Sequence, residues 1–263
     1  MISVENLCKE YADKTVLASA NAAFPVGCIT SLIGPNGAGK STLLMMMAGL
    51  IKPVSGSVFF DGVPVGDIPV ADYARKVATL RQSPGFNLRL KVHELVAFGR
   101  FPYSKGALSA HDRQVIDDSI AFLSLEHLRN AFIDELSGGQ RQMAFLAMTI
   151  AQQTPVLLLD EPLNNLDMKH AVQIMQALRR LCDEQGRTVI LVIHDINFAA
   201  NYSDHIVALK SGAIHFNGPV YDAVTETLLS DLYELDFEII NSKRGRVCDY
   251  FTPVLENENE VDG

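Results

Sequence analysis

Residues 34–42 read GPNGAGKST, and the residues on either side of them leave the chain few folds to choose from. Before them runs ITSLI (29–33), apolar and rich in β-branched residues. After them runs TLLMMMAGL (42–50), which reads as a buried helix. A strand, a glycine-rich loop and a helix in that order gather backbone N–H groups around one point at a helix N-terminus, where the helix dipole favours negative charge. The spacing G-x-x-x-x-G-K-[ST] is met by Gly34, Gly39, Lys40 and Ser41. Lys40 adds a point charge for the outer phosphates, and the Ser41 hydroxyl suits a Mg2+ ion. Gly34, Pro35, Asn36, Gly37, Ala38, Gly39, Lys40, Ser41 and Thr42 are therefore the expected phosphate-binding set.

A loop of this kind needs a carboxylate on the metal side, at the end of a neighbouring strand. VLLLDEP (156–162) is a continuous apolar run, as expected of a strand buried on both faces, and it ends in two acids. Asp160 is assigned to Mg2+ and Glu161 to polarising an attacking water as general base. VIHD (192–195) brings His194 to a third strand end, where it is expected to touch the terminal phosphate. LRQS (80–83) puts Gln82 where a strand gives way to a loop, in reach of the metal and the water.

A second anion site follows a hundred residues on. DELSGGQRQMAF (134–145) opens a helix with a serine and two glycines, leaving free N–H groups at its start. One nucleotide needs one cradle. Ser137, Gly138, Gly139 and Gln140 are therefore expected to serve the nucleotide of a second copy, in a head-to-tail homodimer that opens once the terminal phosphate is cleaved.

The rest of the chain fits an α/β core. MKHAVQIMQALRRLCDEQG (168–186) reads as an amphipathic helix, TVILVIHD (188–195) as a buried strand, INFAANYS (196–203) as a helix, and HIVALKSGAIHFNG (205–218) as two strands about a turn at Ser211 and Gly212. Residues 91–151 are helical in pattern; in SAHDRQVIDDSIAFLSL (109–125), Ser109 and Asp112 suit the cap and first turn. Residues 237–252 suggest a terminal hairpin, and ENENEVDG (256–263) an acidic, disordered tail.

Hydrophobic residues make up 48% of the chain, ample for a core, and the net charge of −9 argues against a general nucleic-acid binder. The four cysteines form no C-x-x-C pair, so free thiols in a reducing compartment are expected. Met1 leads straight into ISVENL, with no sign of a leader peptide, and no apolar run approaches the ~18 residues of a membrane span. A soluble, cytoplasmic protein is the expectation.

LSGGQ (136–140) resembles the signature of the ABC ATPase family. The loop GPNGAGKST, the strand VLLLDEP, the segment NNLD (164–167) and the histidine of IHD stand in that family's order. The resemblance implies an α/β P-loop NTPase core with an N-terminal antiparallel β-subdomain and an inserted α-helical signature subdomain. It divides one domain (1–255) into a catalytic core (1–90 and 152–235), a helical subdomain (91–151) and a C-terminal hairpin (236–252), with the tail beyond. It implies ATP and Mg2+ as cofactors, Tyr11 stacking on adenine, and Asp167 as the functional residue of NNLD.

KVHELVAFGRFPYS (91–104), DEPLNNLDMKH (160–170) and HDINFAANYSDHIVALKSG (194–212) resemble, more narrowly, the ATPase subunits of ferric-siderophore importers, relatives of the vitamin B12 importer. That implies a peripheral protein on the cytoplasmic face of the inner (plasma) membrane. Its expected partners are integral membrane permease subunits and, indirectly, a periplasmic or extracellular siderophore-binding protein; nucleic acid is not among them. Phe86, Leu88 and Leu90 are expected to help form the groove for a permease helix. Two positions depart from the common pattern: Leu163 stands where threonine is usual, and Met143 where arginine is frequent, an exchange expected to weaken a salt bridge on the signature helix. An importer of haem, cobalamin or a metal ion is the competing reading. A non-transport ABC protein acting on DNA or the ribosome fits less well, since the chain has one cassette and no heptad insertion. A P-loop kinase would have no use for LSGGQ.

Overall fold

The computed structural model describes residues 1–12, 14–81 and 89–251. Gln82, Phe86, Leu88 and the acidic tail 256–263 lie outside the described residues.

An antiparallel sheet is built from β1 (Ile2–Tyr11), β2 (Lys14–Phe24), β4 (Ser55–Phe60) and β5 (Val63–Pro64), in the order β2-β1-β4-β5. A larger sheet contains β3 (Ile29–Ile33), β6 (Val77–Leu80), β7 (Val156–Asp160), β8 (Thr188–Val192), β9 (His205–Lys210) and β10 (Ala213–Pro219), in the order β10-β9-β3-β8-β7-β6. From β9 to β6 every pairing is parallel, and β10 returns antiparallel on β9. The helices are α1 (Lys40–Met47), α2 (Val70–Tyr73), α3 (Val92–Phe98), α4 (Phe101–Ser104), α5 (Ala110–Phe122), α6 (Gly138–Ala151), α7 (Met168–Gln185), α8 (Ile196–Tyr202), α9 (Val220–Ala223) and α10 (Glu226–Tyr233). A hairpin of β11 (Glu238–Ser242) and β12 (Gly245–Asp249) follows.

The apolar runs at β3, β7 and β8 are unbroken because both faces of the parallel sheet are covered. Alternation divides each strand between two cores. Leu157, Leu159, Val189 and Leu191 face one with α3, α5, α6 and α7. Leu158, Ile190 and Val192 face the other with Leu43, Leu44, Met46 and Met47 of α1 and the antiparallel sheet. The helix after the phosphate loop stops at Met47, short of the apolar run 42–50. Gly49 turns the chain at φ +71°, and Leu50 is exposed. Met143 is buried in the first core.

The two sheets are fastened to each other beside the phosphate loop. The Ala18 N–H donates to the Gly212 carbonyl at 2.8 Å. The Val16 carbonyl is held between two glycines, Gly39 of the loop and Gly212 of the β9–β10 turn. A Cβ on either would stand 2.8 Å from that oxygen, and both backbones have positive φ. Only glycine fits either place.

Near the C-terminus, two asparagine side chains on α8 act as a strand for β12. Asn197 donates to the Cys248 carbonyl at 3.3 Å and accepts from its N–H at 2.7 Å. Asn201 does the same with Arg246, at 2.7 and 2.9 Å. Their i, i+4 spacing puts both amides on one helix face.

Candidate functional site

In a parallel sheet all strands end on the same edge, and ligands bind beyond their C-terminal ends. Here β3 runs into residues 34–39, β7 into Asp160 and Glu161, and β8 into Ile193 and His194. Because β8 pairs with both β3 and β7, these groups stand side by side.

Lys40 is 5% exposed and Asp160 7%, so both charges are nearly out of water and need partners. The Lys40 ammonium donates to the carbonyls of Gly34 at 2.7 Å and Pro35 at 2.9 Å. Burial lowers its pKa, against the pull of Glu161 and Asp160. The Ser41 hydroxyl donates to Asp160 Oδ1 at 2.7 Å. Burial raises the Asp160 pKa, and the bond from Ser41 opposes the rise. A hydrogen bond to a charged group is worth about 1.5–3 kcal/mol, so this pair orients both side chains.

Glu161 follows at φ +52°, a backbone region that glutamate rarely adopts. Its Oε1 lies 2.7 Å from His194 Nε2, and its Oε2 accepts from the Asn164 side-chain amide. The carboxylate is thus fixed between two side chains, one from beyond the end of β8 and one from its own loop. Strain and fixed orientation together are typical of functional positions.

The Ser41 hydroxyl and the Asp160 carboxylate are two hard oxygen donors that could hold a cation. Among the described residues no group of three or more His, Cys, Asp or Glu side chains could hold a metal ion. Two such oxygens fit Mg2+, which takes one or two protein oxygens and completes its shell from water and phosphate.

A cavity of about 510 Å3 adjoins the loop, bounded by residues 14–16, 35–38, 210–212 and 232–234. Tyr11 is not among its walls. That residue closes β1 with its ring half exposed, and the Lys9 ammonium lies 5.0 Å from the ring centre. A second cavity of about 220 Å3 is lined by Glu161, Leu163, Asn164, His194 and Phe198. Leu163 therefore presents an apolar surface beside the candidate base.

Ser137 and Gln140 form a reciprocal cap at the start of α6. The Ser137 hydroxyl accepts from the Gln140 N–H at 3.3 Å, and the Gln140 side chain accepts from the Ser137 N–H at 3.1 Å. Such a box is worth about 1 kcal/mol. Ser137 and Gly138 are exposed; Gly139 is buried against the ring of His170. That ring is held by Asp167, whose carboxylate caps α7 through the His170 N–H at 2.9 Å and meets His170 Nδ1 at 2.8 Å.

The fold thus brings Lys40, Ser41, Asp160, Glu161 and His194 together. Residues 137–140 pair with one another and abut Asn165 and His170, at the start of α7. Sequence reasoning missed Asn164, His170 and Tyr233, which accepts the Gly34 N–H at 3.2 Å. Asn164 could have been found three residues after Glu161, in the same loop. Nothing in the sequence singles out Tyr233.

Residues 17–164 match the family model described as ABC transporter. The chain is 46% identical to the petrobactin import ATP-binding protein YclP of Bacillus subtilis (strain 168), over 96% of this chain and all of that one. It superposes with a TM-score of 0.82, at 26% identity, on a structure described as an inward-facing metal-chelate type ABC transporter, covering 95% of this chain and 96% of that one. The dimeric structure of MJ0796, a bacterial ABC transporter cassette, matches with a TM-score of 0.74 at 32% identity, covering 84% and 99%.

Proposed function

The chain belongs to the ABC transporter family and is an ABC-type ATPase, and from this premise we propose that it hydrolyses MgATP to drive import of a ferric siderophore through a membrane permease. The observation that supports this best is the convergence at one sheet edge of the Lys40 loop, the Ser41–Asp160 pair and the Glu161–His194 pair. The siderophore cargo is supported by the relative named as a petrobactin import ATP-binding protein and by the structural neighbour described as of metal-chelate type.

In this reading residues 34–42 hold the phosphates, with Lys40 turning from its loop carbonyls to phosphate oxygens. Ser41 and Asp160 would hold Mg2+, which supplies charge neutralisation at the outer phosphates; Gln82 would join them. Glu161 orients and deprotonates the attacking water, His194 contacts the terminal phosphate, and Tyr11 stacks on adenine. Ser137, Gly138, Gly139 and Gln140 reach the ATP of a second copy, and Asp167 fixes the segment beside them. Residues 1–90 and 152–235 form the catalytic core, 91–151 present the signature and meet the permease, and 236–252 are a hairpin. The dimeric neighbour supports the two-copy arrangement. Among the described residues no helix is long and apolar enough to cross a membrane. The proposed attachment to the cytoplasmic face is through permease subunits, which receive cargo from a binding protein outside.

The test is Glu161→Gln in the full chain. With its base neutralised, turnover falls by about 10²–10⁴-fold while ATP still binds. Light scattering in saturating MgATP is expected to find a dimer. A variant that stays monomeric there, or hydrolyses ATP at the wild-type rate, refutes the base assignment.

A further inference from the structure

Gly34 is the hinge between β3 and the phosphate loop, and it is gripped on both sides. Its carbonyl accepts from the Lys40 ammonium at 2.7 Å, and its N–H donates to the phenolic oxygen of Tyr233 at 3.2 Å. A Cβ at Gly34 would stand 2.0 Å from the Leu209 carbonyl, so the backbone at this point is wedged against β9. Turning Gly34 about its backbone bonds would disturb both contacts, so a partner on its N–H restrains the start of the phosphate loop.

Tyr233 is itself held in place. It ends α10, and its ring packs on Phe237 with centroids 5.9 Å apart; Phe237 packs on Tyr250 at 5.3 Å. The turn between Tyr233 and Phe237 is pinned by Ser230, whose hydroxyl accepts the Phe237 N–H at 3.1 Å. Tyr250 follows β12, which Asn197 and Asn201 hold against α8. That helix begins immediately after His194 and Asp195. The C-terminal segment is therefore fastened at one end to the start of the phosphate loop and at the other to the helix that follows the histidine. Burial pushes the phenol up to about 12, so it stays protonated and neutral at physiological pH.

We infer that Tyr233 is a positioning residue for the phosphate-binding loop, its phenolic oxygen setting the orientation of Gly34 where β3 enters the loop. The inference rests on the nucleotide reading of residues 34–42. Tyr233 acts through Gly34 and is not assigned any contact with the nucleotide.

The experiment compares the wild type with Tyr233→Phe and Phe237→Leu in the full chain. It measures MgATP affinity by calorimetry, Tm, and KM and kcat in the assembled transporter. Tyr233→Phe keeps the ring and removes the acceptor. It is expected to raise Kd and KM together by about two- to tenfold, the range for one lost neutral hydrogen bond, with kcat falling less and Tm nearly unchanged. Phe237→Leu loosens the ring packing and keeps the hydroxyl, so it is expected to lower Tm and to raise Kd less. Wild-type Kd in Tyr233→Phe overturns the inference, as does a fall in Tm with Kd unmoved, which is the signature of a structural role. A larger rise in Kd for Phe237→Leu also overturns it, because packing would then hold the loop. A wild-type chain that binds no MgATP overturns the nucleotide reading and this inference with it.

Discussion

Gly139→Ala sets two physical effects against each other. Gly139 is the second residue of α6, and alanine is preferred to glycine inside a helix by about 1 kcal/mol. Propensity alone predicts a more stable protein. The new Cβ, however, would lie 2.4 Å from His170 Cγ and 2.6 Å from Nδ1, where ordinary contact begins near 3.4 Å. The nearest atom is at the root of the imidazole, and the ring is tied to Asp167 through Nδ1, so it cannot swing aside freely. The start of α6 or of α7 must give by about 1 Å. Overpacking of this kind costs about 1–3 kcal/mol, so the clash is expected to outweigh propensity and lower Tm slightly. The effect on turnover should be larger. If α6 presents its N–H groups to a second copy's ATP, a 1 Å displacement is worth about 10²-fold in rate. Nucleotide affinity of the single chain is expected to stay put, since Lys40 and Ser41 bond to Gly34, Pro35 and Asp160. The assay is steady-state phosphate release by the transporter in lipid nanodiscs at saturating MgATP, alongside ATP binding to the subunit alone. His170→Ala makes room for the methyl group, so the double variant should recover to within about tenfold of His170→Ala by itself. Undiminished turnover in Gly139→Ala, or no recovery in the double variant, refutes the reasoning.

Two further outcomes are expected. Asp112 is held down to about 2 from an ordinary 3.8, first by bonds from Ser109 and then by Arg100, so its contribution to stability is complete above pH 3.8 and disappears as pH falls through about 2. The difference in urea midpoint between the wild type and Asp112→Asn should be level near neutral pH and close on acidification below pH 3.8; a gap that widens there contradicts the assignment. Burial pushes the Cys182 thiol up to about 12 and Cys248 to about 11. In the native protein at mildly alkaline pH the thiolate fraction falls roughly 10³-fold at Cys182 and roughly 10²-fold at Cys248, so both should alkylate far more slowly than in denaturant, read by peptide mass spectrometry, and equal rates would count against their placement.

The sequence made most of the site legible, for reasons that can be traced to particular residues. Lys40 and Ser41 stand in a loop whose spacing is set by the phosphates it wraps. Asp160, Glu161 and His194 stand at the ends of apolar runs that can only be buried strands, and parallel pairing brings such ends to one edge. What stayed hidden was contact between neutral groups far apart in the chain. Tyr233 and Gly34 are 199 residues apart, and a phenol accepting an N–H leaves no period or charge pattern to read. The amides of Asn197 and Asn201 are ordinary polar positions on a helix until the hairpin lies against them. His170 looks like part of a family motif, yet its ring is the wall against which Gly139 packs. The stop of α1 at Met47 was missed because apolar residues continue to Leu50 while Gly49 ends the helix.

The grip of Gly39 and Gly212 on one peptide oxygen has a bearing on how such a chain can drift over generations. The Val16 oxygen belongs to the main chain, so no replacement at position 16 other than one that bends the strand can remove it. Its side chain takes no part in that contact, while any bulk gained at either glycine wedges the antiparallel sheet away from the loop. Relatives of this protein should therefore tolerate many residues at the valine and almost none at the two glycines. Directed libraries that randomise all three positions should return the same lopsided pattern.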